Sequence, residues 1–165
     1  MINFDTAGYL WYRFYCFRGQ CYYFMNSRRI KWWVCYVLPA FFYSVLIVYL
    51  SSLSDLPSPM PGFYGSDKLL HGCEYFLFGY LIMRSLVVAV EDRSSTVPAL
   101  ATVILGGFFG LSDEIHQAFV PGREASLMDF LFDMAGLAAA VLAFSFLRRR
   151  FGPLRFIEDW IEEVR

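Results

Sequence analysis

The sequence predicts an all-α fold, a polytopic membrane bundle of four transmembrane helices. Of the 165 residues, 58% are hydrophobic and only 18% are charged, whereas a soluble domain has about 25% charged residues. The apolar residues are also gathered into four continuous blocks, each close to the length of about 20 residues that a helix needs to cross a bilayer. Continuous blocks favour a helix bundle over a β-barrel, whose strands alternate apolar and polar residues.

The four blocks are the predicted spans. The first is 33–50, where Pro39 is expected to kink the helix, as membrane helices tolerate. The second is 69–90, the third is 97–120 and the fourth is 127–147. Small residues in the third and fourth spans allow the helices to pack closely. These are Gly106, Gly107, Gly110, Gly136, Ala139, Ala140 and Ala143.

Lysine and arginine residues orient the spans, because they concentrate in cytoplasmic loops. Three segments hold most of them: Arg13, Arg18, Arg28, Arg29 and Lys31 before the first span, Arg93 between the second and third, and Arg148, Arg149, Arg150 and Arg155 after the fourth. The other two loops hold only Lys68 and Arg123. We therefore predict that both termini are cytoplasmic and that the loops 51–68 and 121–126 face outward.

The chain divides into three regions. Residues 1–32 are an aromatic and basic segment, 33–147 form the membrane domain, and 148–165 are a basic, then amphipathic, tail. The stretch MNSRRIKWWV is typical of a natural start, so translation from Met25 is an alternative to an aromatic segment at the inner interface. Helical spacing of the apolar residues in the tail predicts a short helix on the inner membrane surface, with a frayed acidic tail as the alternative.

The net charge and the cysteine content limit the kinds of partner and the kinds of covalent or metal cross-link that the chain is expected to have. The net charge is −1, so there is no basic field and no nucleic-acid partner is expected. The four cysteines include Cys16 and Cys21, but no CxxC pattern occurs. We interpret them as free thiols or packing residues, and not as a disulfide framework or a zinc site.

The spans carry ionisable residues that a membrane helix rarely keeps, since each costs about 2.5–3.5 kcal/mol at the bilayer centre. Most of them lie near the predicted outward ends. They are Asp67, Lys68, His71 and Glu74 at the outer start of the second span, Asp113, Glu114 and His116 with Gln117 in the third, Arg123 in the following loop, and Asp129 and Asp133 in the fourth. Three helices thus bring acids, histidines and cations to one depth, which predicts a polar pocket open to the outside.

Helical spacing predicts which side chains enter this pocket. Asp67, His71 and Glu74 share one face of the second span, and in the third span Glu114 and Gln117 are expected to point inward. Four residues have a simpler interpretation near the interface: Asp67 and Asp113 as solvated acids, His116 as an interfacial or capping residue, and Asp129 as an acid that supports its helix N-terminus.

Two segments resemble the signatures of the VanZ-like family. SDKLLHGCEYFLFGYL at 66–81 is similar to DK-x-x-H-x-x-x-Y, and EIHQAFVPGREASLMDFLFDMAGL at 114–137 is similar to E-x-x-Q-x-F-x-x-x-R-x-x-S-x-x-D-x-x-x-N-x-x-G. Asp133 stands where this pattern usually has asparagine and adds a charge to the pocket. The resemblance covers about 33–147. The matching residues are Asp67, Lys68, His71, Tyr75, Glu114, Gln117, Phe119, Arg123, Ser126, Asp129 and Gly136.

The resemblance implies a small multi-pass protein of the bacterial inner membrane, in a family whose namesake is linked to low-level teicoplanin resistance. The first hypothesis is a protein that binds a phospholipid head group or a lipid-linked cell-envelope precursor. Lys68 and Arg123 would contact its phosphate. The ligand-binding residues of this hypothesis are Asp67, Lys68, Tyr75, Gln117, Arg123, Asp129 and Asp133.

Two alternatives stay open. An intramembrane enzyme acting on a lipid-linked phosphate or ester would use His71, Glu74 and Glu114 as catalytic residues, although no HExxH or GxSxG motif is present. In a variant of this enzyme a divalent metal ion is bound, with candidate ligands Glu74, Glu114, Asp129 and Asp133. A small transporter or flippase component would require the four-span chain to form a homo-oligomer.

Overall fold

In the computed structural model, the membrane domain is a bundle of four long helices, which confirms the predicted all-α fold. Each helix is long and apolar enough to cross a membrane. The residues that the structure describes are 12–17, 20–25, 30, 33–54, 66–90 and 96–151. The centre of the loop 51–68 and the tail from 152, with its predicted amphipathic helix, lie outside these ranges.

A short antiparallel hairpin precedes the bundle. Strand β1 spans Tyr12–Phe17 and strand β2 spans Gln20–Met25. The spacing of the apolar residues predicted no element here, but aromatic residues favour extended backbone. The hairpin lies before the membrane domain in the chain, and the domain itself is helical.

The first span begins with a five-residue π-helical turn, Trp33–Val37, and continues as helix α1, Leu38–Ser51. Pro39 sits in the first turn of α1, where its missing N–H would have no helical partner in any case. Prolines and π-helical turns are common causes of helix irregularity. Where a kink was predicted at Pro39, the structure has a change from a π-helical turn to an α-helix at the start of α1.

The other helices are α2, Ser66–Val90, α3, Thr96–Gln117, and α4, Leu127–Phe151. Their bounds agree with the predicted spans to within a few residues. Helix α3 ends at Gln117, before the end predicted at 120, because the chain turns sharply after this residue. Gly122 in this turn has a φ of 83°, which glycine adopts without strain.

The interior and the exterior of the bundle are both apolar. Two buried clusters form the core: Ile47, Tyr75, Phe78 and Leu137, and Met83, Val87 and Phe144. Large apolar side chains also cover the outside, among them Phe42, Phe108 and Leu142, which are 64%, 68% and 70% exposed. A helix that is hydrophobic all round is typical of a membrane span, so this exterior contacts the lipid bilayer.

Helices α2 and α4 approach each other closely at Gly72 and Gly136. A Cβ atom on Gly136 would overlap the backbone carbonyl oxygen of Gly72 and lie 2.9 Å from the backbone nitrogen of Phe76. Backbone atoms cannot rotate away as a flexible side chain can. Gly136 therefore allows the close helix packing that was predicted from the small residues. Ala139, another of those small residues, is exposed.

Helices α1 and α3 end at the same end of the bundle at which α2 and α4 begin. The four termini meet through contacts such as the hydrogen bond from Ser51 to Asp113 and the ion pair between Lys68 and Asp129. We call this end of the bundle, formed by the described residues of 51–54, 66–75 and 113–133, the polar end.

Candidate functional site

The polar end collects the ionisable residues that were predicted to lie at one depth. Among the described residues, seven polar residues at this end are 5% exposed or less, and four of the seven are acids. They are Ser51, His71, Asp113, Glu114, Gln117, Asp129 and Asp133. Buried carboxylates need hydrogen-bond or cationic partners, so the partners of each acid determine what the site can do.

The deepest polar contact joins His71 of α2 to Asp133 of α4. The Nδ1 atom of His71 lies 3.1 Å from the Oδ1 atom of Asp133, and Asp133 is fully buried. A carboxylate on one imidazole nitrogen orients the ring and leaves the other nitrogen for chemistry.

The side chains of Tyr75 and Asp133 both approach Gly110, and each carries an oxygen atom that has no hydrogen-bond partner among the described residues. These atoms are Oδ2 of Asp133 and the hydroxyl oxygen of Tyr75, both buried. A Cβ atom on Gly110 would lie 3.4 Å from Oδ2 of Asp133 and 3.2 Å from Cε1 of Tyr75. Gly110 thus leaves the space in which the ring of Tyr75 and the carboxylate of Asp133 come together.

Lys68 of α2 and Asp129 of α4 form the second contact between these helices, a charge-assisted hydrogen bond. The Lys68 side chain is 33% exposed and the Asp129 side chain is 7% exposed, so the pair lies at the edge of the buried cluster. Ser126 precedes α4, and its hydroxyl accepts a hydrogen bond from the backbone N–H of Asp129 at 3.4 Å. Ser126 therefore caps α4, Asp129 lies in the first turn of this helix, where a carboxylate is favoured, and its carboxylate contacts a cation.

Glu114 connects the end of α3 to the start of α4. Its Oε2 atom accepts a hydrogen bond from the backbone N–H of Ser126 at 2.8 Å. Its Oε1 atom is buried and has no hydrogen-bond partner among the described residues. The inward orientation predicted for Glu114 is confirmed, and one carboxylate oxygen stays available for a cation or a hydrogen-bond donor.

The expectation that Asp113 reaches the interface is wrong. Asp113 is only 4% exposed and accepts hydrogen bonds from the hydroxyl of Ser51 and from Nε2 of Gln117, both at 2.9 Å. Positions 113 and 117 are four apart and therefore also share a helical face. Which face of α3 is buried depends on where α1 lies, and helical spacing within α3 carries no information about that.

Ser51 is a residue of the site that the sequence did not single out. Its only signal is that a serine closes an otherwise apolar span. The neighbouring Ser52 has its hydroxyl oxygen 3.0 Å from Nε2 of His116, and His116 is exposed. His116 thus lies at the interface, as expected.

Arg123 faces helix α1. Its Nε atom donates a hydrogen bond to the carbonyl oxygen of Leu53 at 3.1 Å, and its Nη2 atom donates to the carbonyl oxygen of Leu50 at 3.2 Å. The last carbonyl groups of a helix lack helical partners and favour a cation. Arg123 therefore caps α1, and phosphate binding by Arg123 stays a prediction that would use its remaining N–H donors.

Removal of this cap is expected to destabilise the protein. Arg123→Ala should lower the free energy of unfolding by about 1.5–3 kcal/mol, the range for hydrogen bonds to charged groups. Thermal unfolding of the detergent-purified protein measures the change. Glu124→Ala is the matched control, because Glu124 is exposed in the same loop. Equal stability of the two variants would contradict the capping role.

The predicted common face of Asp67, His71 and Glu74 is only partly buried. His71 is buried, Glu74 is half-buried and Asp67 is exposed. The exposure of Asp67 agrees with its simpler interpretation as a solvated acid. Glu74 is one turn deeper than His71 on α2, and its catalytic role stays a prediction.

Two groups of described residues have the spacing of metal ligands. In each group, one ligand atom from each residue lies within 4.8 Å of the others. One group is Asp67, His71 and Asp129, and the other, which is buried throughout, is His71, Glu114 and Asp133. Glu114 and Asp133 were predicted as metal candidates together with Asp129 and Glu74, and among the described residues Glu74 belongs to neither group.

An apolar groove of about 310 Å³ opens on the side of the bundle between α2 and α4. It is lined by Leu69, Gly72, Cys73, Phe76, Phe132, Ala135, Gly136 and Ala139. Gly72 lies one helical turn beyond Lys68, and Phe132 lies one turn beyond Asp129. The groove therefore follows the Lys68–Asp129 pair along α2 and α4 and runs away from the polar end. Cys73 in its wall is a free thiol, as is Cys35.

A family model described as VanZ/LLP1 matches residues 49–148. This range contains the described polar end from Ser51 to Asp133, and it begins later than the residue 33 expected from the resemblance, so most of α1 lies outside it. No curated protein and no solved structure matches the chain.

Proposed function

The chain belongs to the VanZ-like family of membrane proteins, and we propose that it binds a cell-envelope lipid or a lipid-linked precursor. In this proposal the acyl chain lies in the groove between α2 and α4 and the head group lies at the polar end. The observation that carries the proposal is the position of the apolar groove, whose lining residues Gly72 and Phe132 lie one helical turn beyond Lys68 and Asp129. A ligand that fits both is apolar along its length and polar at one end.

The groove supports the apolar half of this ligand. Its volume of about 310 Å³ is at the lower end of the range of about 300–1,000 Å³ found for ligand sites. It opens sideways to the apolar exterior of the bundle. An acyl chain can therefore enter it from the bilayer without crossing the polar end.

Lys68 supports the polar half. Its ammonium group has three N–H donors, of which Asp129 takes one. The side chain is one-third exposed, so a phosphate oxygen could accept from the others. Arg123 lies at the same end but faces the carbonyl groups of α1, so Lys68 is the first cation for a head group to meet.

The distribution of lysine and arginine supports an orientation in which the polar end faces outward and both termini are cytoplasmic. In a bacterial inner membrane, the ligand would then be a lipid of the outer leaflet. Teicoplanin itself carries an acyl chain and acts at that surface. Altered membrane anchoring of the drug is the route by which we would expect this chain to affect teicoplanin susceptibility.

A second candidate function, an intramembrane acid/base enzyme, is favoured by the His71–Asp133 pair. The carboxylate orients the imidazole, which could then transfer a proton to or from a phosphate or ester at the polar end. One carboxylate oxygen of Glu114 lies within 4.8 Å of a ring nitrogen of His71. The two candidate functions differ in one observable. An enzyme would change the mass of the added lipid, whereas a binding protein would leave it unchanged.

Native mass spectrometry of the purified protein with added phosphatidylglycerol tests the proposal. Filling the groove by Ala139→Phe should reduce lipid adducts at least tenfold. Ala138→Phe is the matched control, because Ala138 is exposed on α4 outside the groove lining. Lys68→Ala should weaken binding of phosphatidylglycerol more than binding of diacylglycerol, which has no phosphate.

The proposal is wrong if both phenylalanine variants retain the lipid equally. Loss of a homo-oligomer in Ala139→Phe, with no effect on lipid, would mean that a second copy of the chain occupies the groove. Formation of a product of new mass that depends on His71 would favour the enzyme.

A further inference from the structure

We propose that His71, Glu114 and Asp133 bind a divalent transition-metal ion, Zn²⁺ or Mn²⁺, at the polar end. The site draws one residue from each of α2, α3 and α4, and all three are at most 5% exposed. It deepens the proposed function, because the metal ion would contact the head-group phosphate. Its test below uses the metal ion alone, without lipid.

The distances between the three side chains suit a metal ion. One ligand atom from each lies within 4.8 Å of the others, and Nδ1 of His71 is 3.1 Å from Oδ1 of Asp133. Two ligands of a tetrahedral zinc ion, bound at about 2.0–2.1 Å, lie roughly 3.4 Å apart. A metal ion can therefore replace the proton shared by the His71–Asp133 pair with movements of about 1 Å.

Unpartnered oxygen atoms point to a cation in this place. Oε1 of Glu114 and Oδ2 of Asp133 are buried without a hydrogen-bond partner among the described residues. An ionised carboxylate can only accept hydrogen bonds, and a buried charge needs a partner. Tyr75 of α2 adds a third unpartnered group, because it is fully buried, its hydroxyl has no hydrogen-bond partner among the described residues, and its ring approaches Gly110 from the same space as Oδ2 of Asp133.

The other cations of the polar end are engaged elsewhere. Lys68 contacts Asp129, and Arg123 contacts the carbonyl groups that end α1. Asp113 accepts hydrogen bonds at Oδ2 from the neutral donors Ser51 and Gln117; its Oδ1 atom has no partner among the described residues, but Asp113 belongs to neither group with metal-ligand spacing. The carboxylates of Glu114 and Asp133 are thus left with His71 as their shared ionisable partner, and two acids in an apolar bundle favour a further positive charge.

The donor set selects the kind of metal. An imidazole nitrogen suits zinc and other transition metals, whereas magnesium and calcium prefer oxygen ligands throughout. Three protein ligands leave a fourth position open, as in catalytic zinc sites. A phosphate oxygen of a head group or a water molecule could occupy that position, with the Tyr75 hydroxyl as a hydrogen-bond partner.

Metal analysis of the full chain in detergent tests the site. The protein is stripped with EDTA and dialysed against ZnCl₂ or MnCl₂, and bound metal is counted by elemental mass spectrometry. We expect one ion per chain, and at least a 100-fold weaker affinity in His71→Ala and Glu114→Gln. The visible spectrum of a Co²⁺-loaded sample should show the bands of a four-coordinate ion and lose them in Glu114→Gln.

Three further variants keep the proposal open to refutation. Asp133→Asn is nearly isosteric and carries the family's usual residue, so it should fold and should still lose affinity. Asp113→Asn, at the same depth, and His116→Ala, at the surface, should bind as the parent does. Absence of bound metal in the parent, or parental affinity in Asp133→Asn, would overturn the site. Loss of metal in Asp129→Asn alone would overturn it too, in favour of the group that contains Asp67.

The metal site and the lipid proposal can fail separately. EDTA-treated protein that still binds phosphatidylglycerol, together with no zinc binding, would remove the metal site and leave the lipid proposal intact. Zinc binding by the parent protein, together with equal lipid binding by Ala139→Phe and Ala138→Phe, would remove the lipid proposal and leave the metal site intact.

Discussion

Gly136→Ala should lower the free energy of unfolding by about 3 kcal/mol or more. Inserting atoms into a packed interior costs about 1–3 kcal/mol where side chains can adjust, but here the new methyl group meets backbone. It would overlap the carbonyl oxygen of Gly72 and crowd the nitrogen of Phe76, so α2 and α4 must move apart. That movement would also separate Lys68 from Asp129.

Thermal or denaturant unfolding in detergent measures this effect, and Gly107→Ala is its matched control. A Cβ atom on Gly107 would meet only the side chain of Met134, with the sulfur at 3.0 Å and Cε at 3.6 Å, and methionine is flexible enough to shift. Glycine to alanine also improves helix propensity, by about 1 kcal/mol. Gly107→Ala should therefore be neutral or stabilising, and a similar loss in both variants would argue against the close approach at Gly136.

The second large effect is expected at the His71–Asp133 pair. Breaking a buried charged pair by removal of one partner costs about 3–5 kcal/mol, because the other partner is left buried without compensation. His71→Leu should therefore destabilise the metal-free protein by about 3 kcal/mol. The residue left behind, Asp133, is fully buried and would have neither of its oxygens paired.

The double variant His71→Leu/Asp133→Val separates stability from function. Replacing both partners of a buried pair with apolar residues is often neutral or stabilising, so the double variant should recover most of the lost stability. Metal binding should stay absent, because two of three ligands are gone. If the double variant is no more stable than His71→Leu, the pair does not act as a unit.

Much of the architecture could be predicted because it depends on local composition. Apolar blocks of span length predicted four helices whose bounds agree with α1 to α4 to within a few residues. The family signatures also identified most of the polar end before any geometry was known. Six of these residues contact another part of the polar end or lie at the close approach of α2 and α4: Lys68, His71, Glu114, Gln117, Asp129 and Gly136.

The partners of these residues could not be predicted in the same way. Arg123 was expected at a phosphate and caps α1 in the structure. Asp113 was expected at the interface and is buried against Ser51. The expectation for Asp113 was wrong, whereas phosphate binding by Arg123 stays a prediction. The contacts of both residues with the end of α1 could not be predicted, because the position of α1 relative to α3 depends on packing between helices distant in sequence.

The sequence by itself determined that this protein is a four-helix membrane bundle with acids and histidines gathered at one end. Helix formation and span length follow from hydrophobicity within about 20 residues, because every backbone polar group in lipid must be satisfied within its own helix. Only the tertiary structure decided which acid pairs with which cation, which oxygens stay unpartnered, and where a groove opens. Those properties depend on distances of a few ångströms between side chains on different helices, which no single segment encodes.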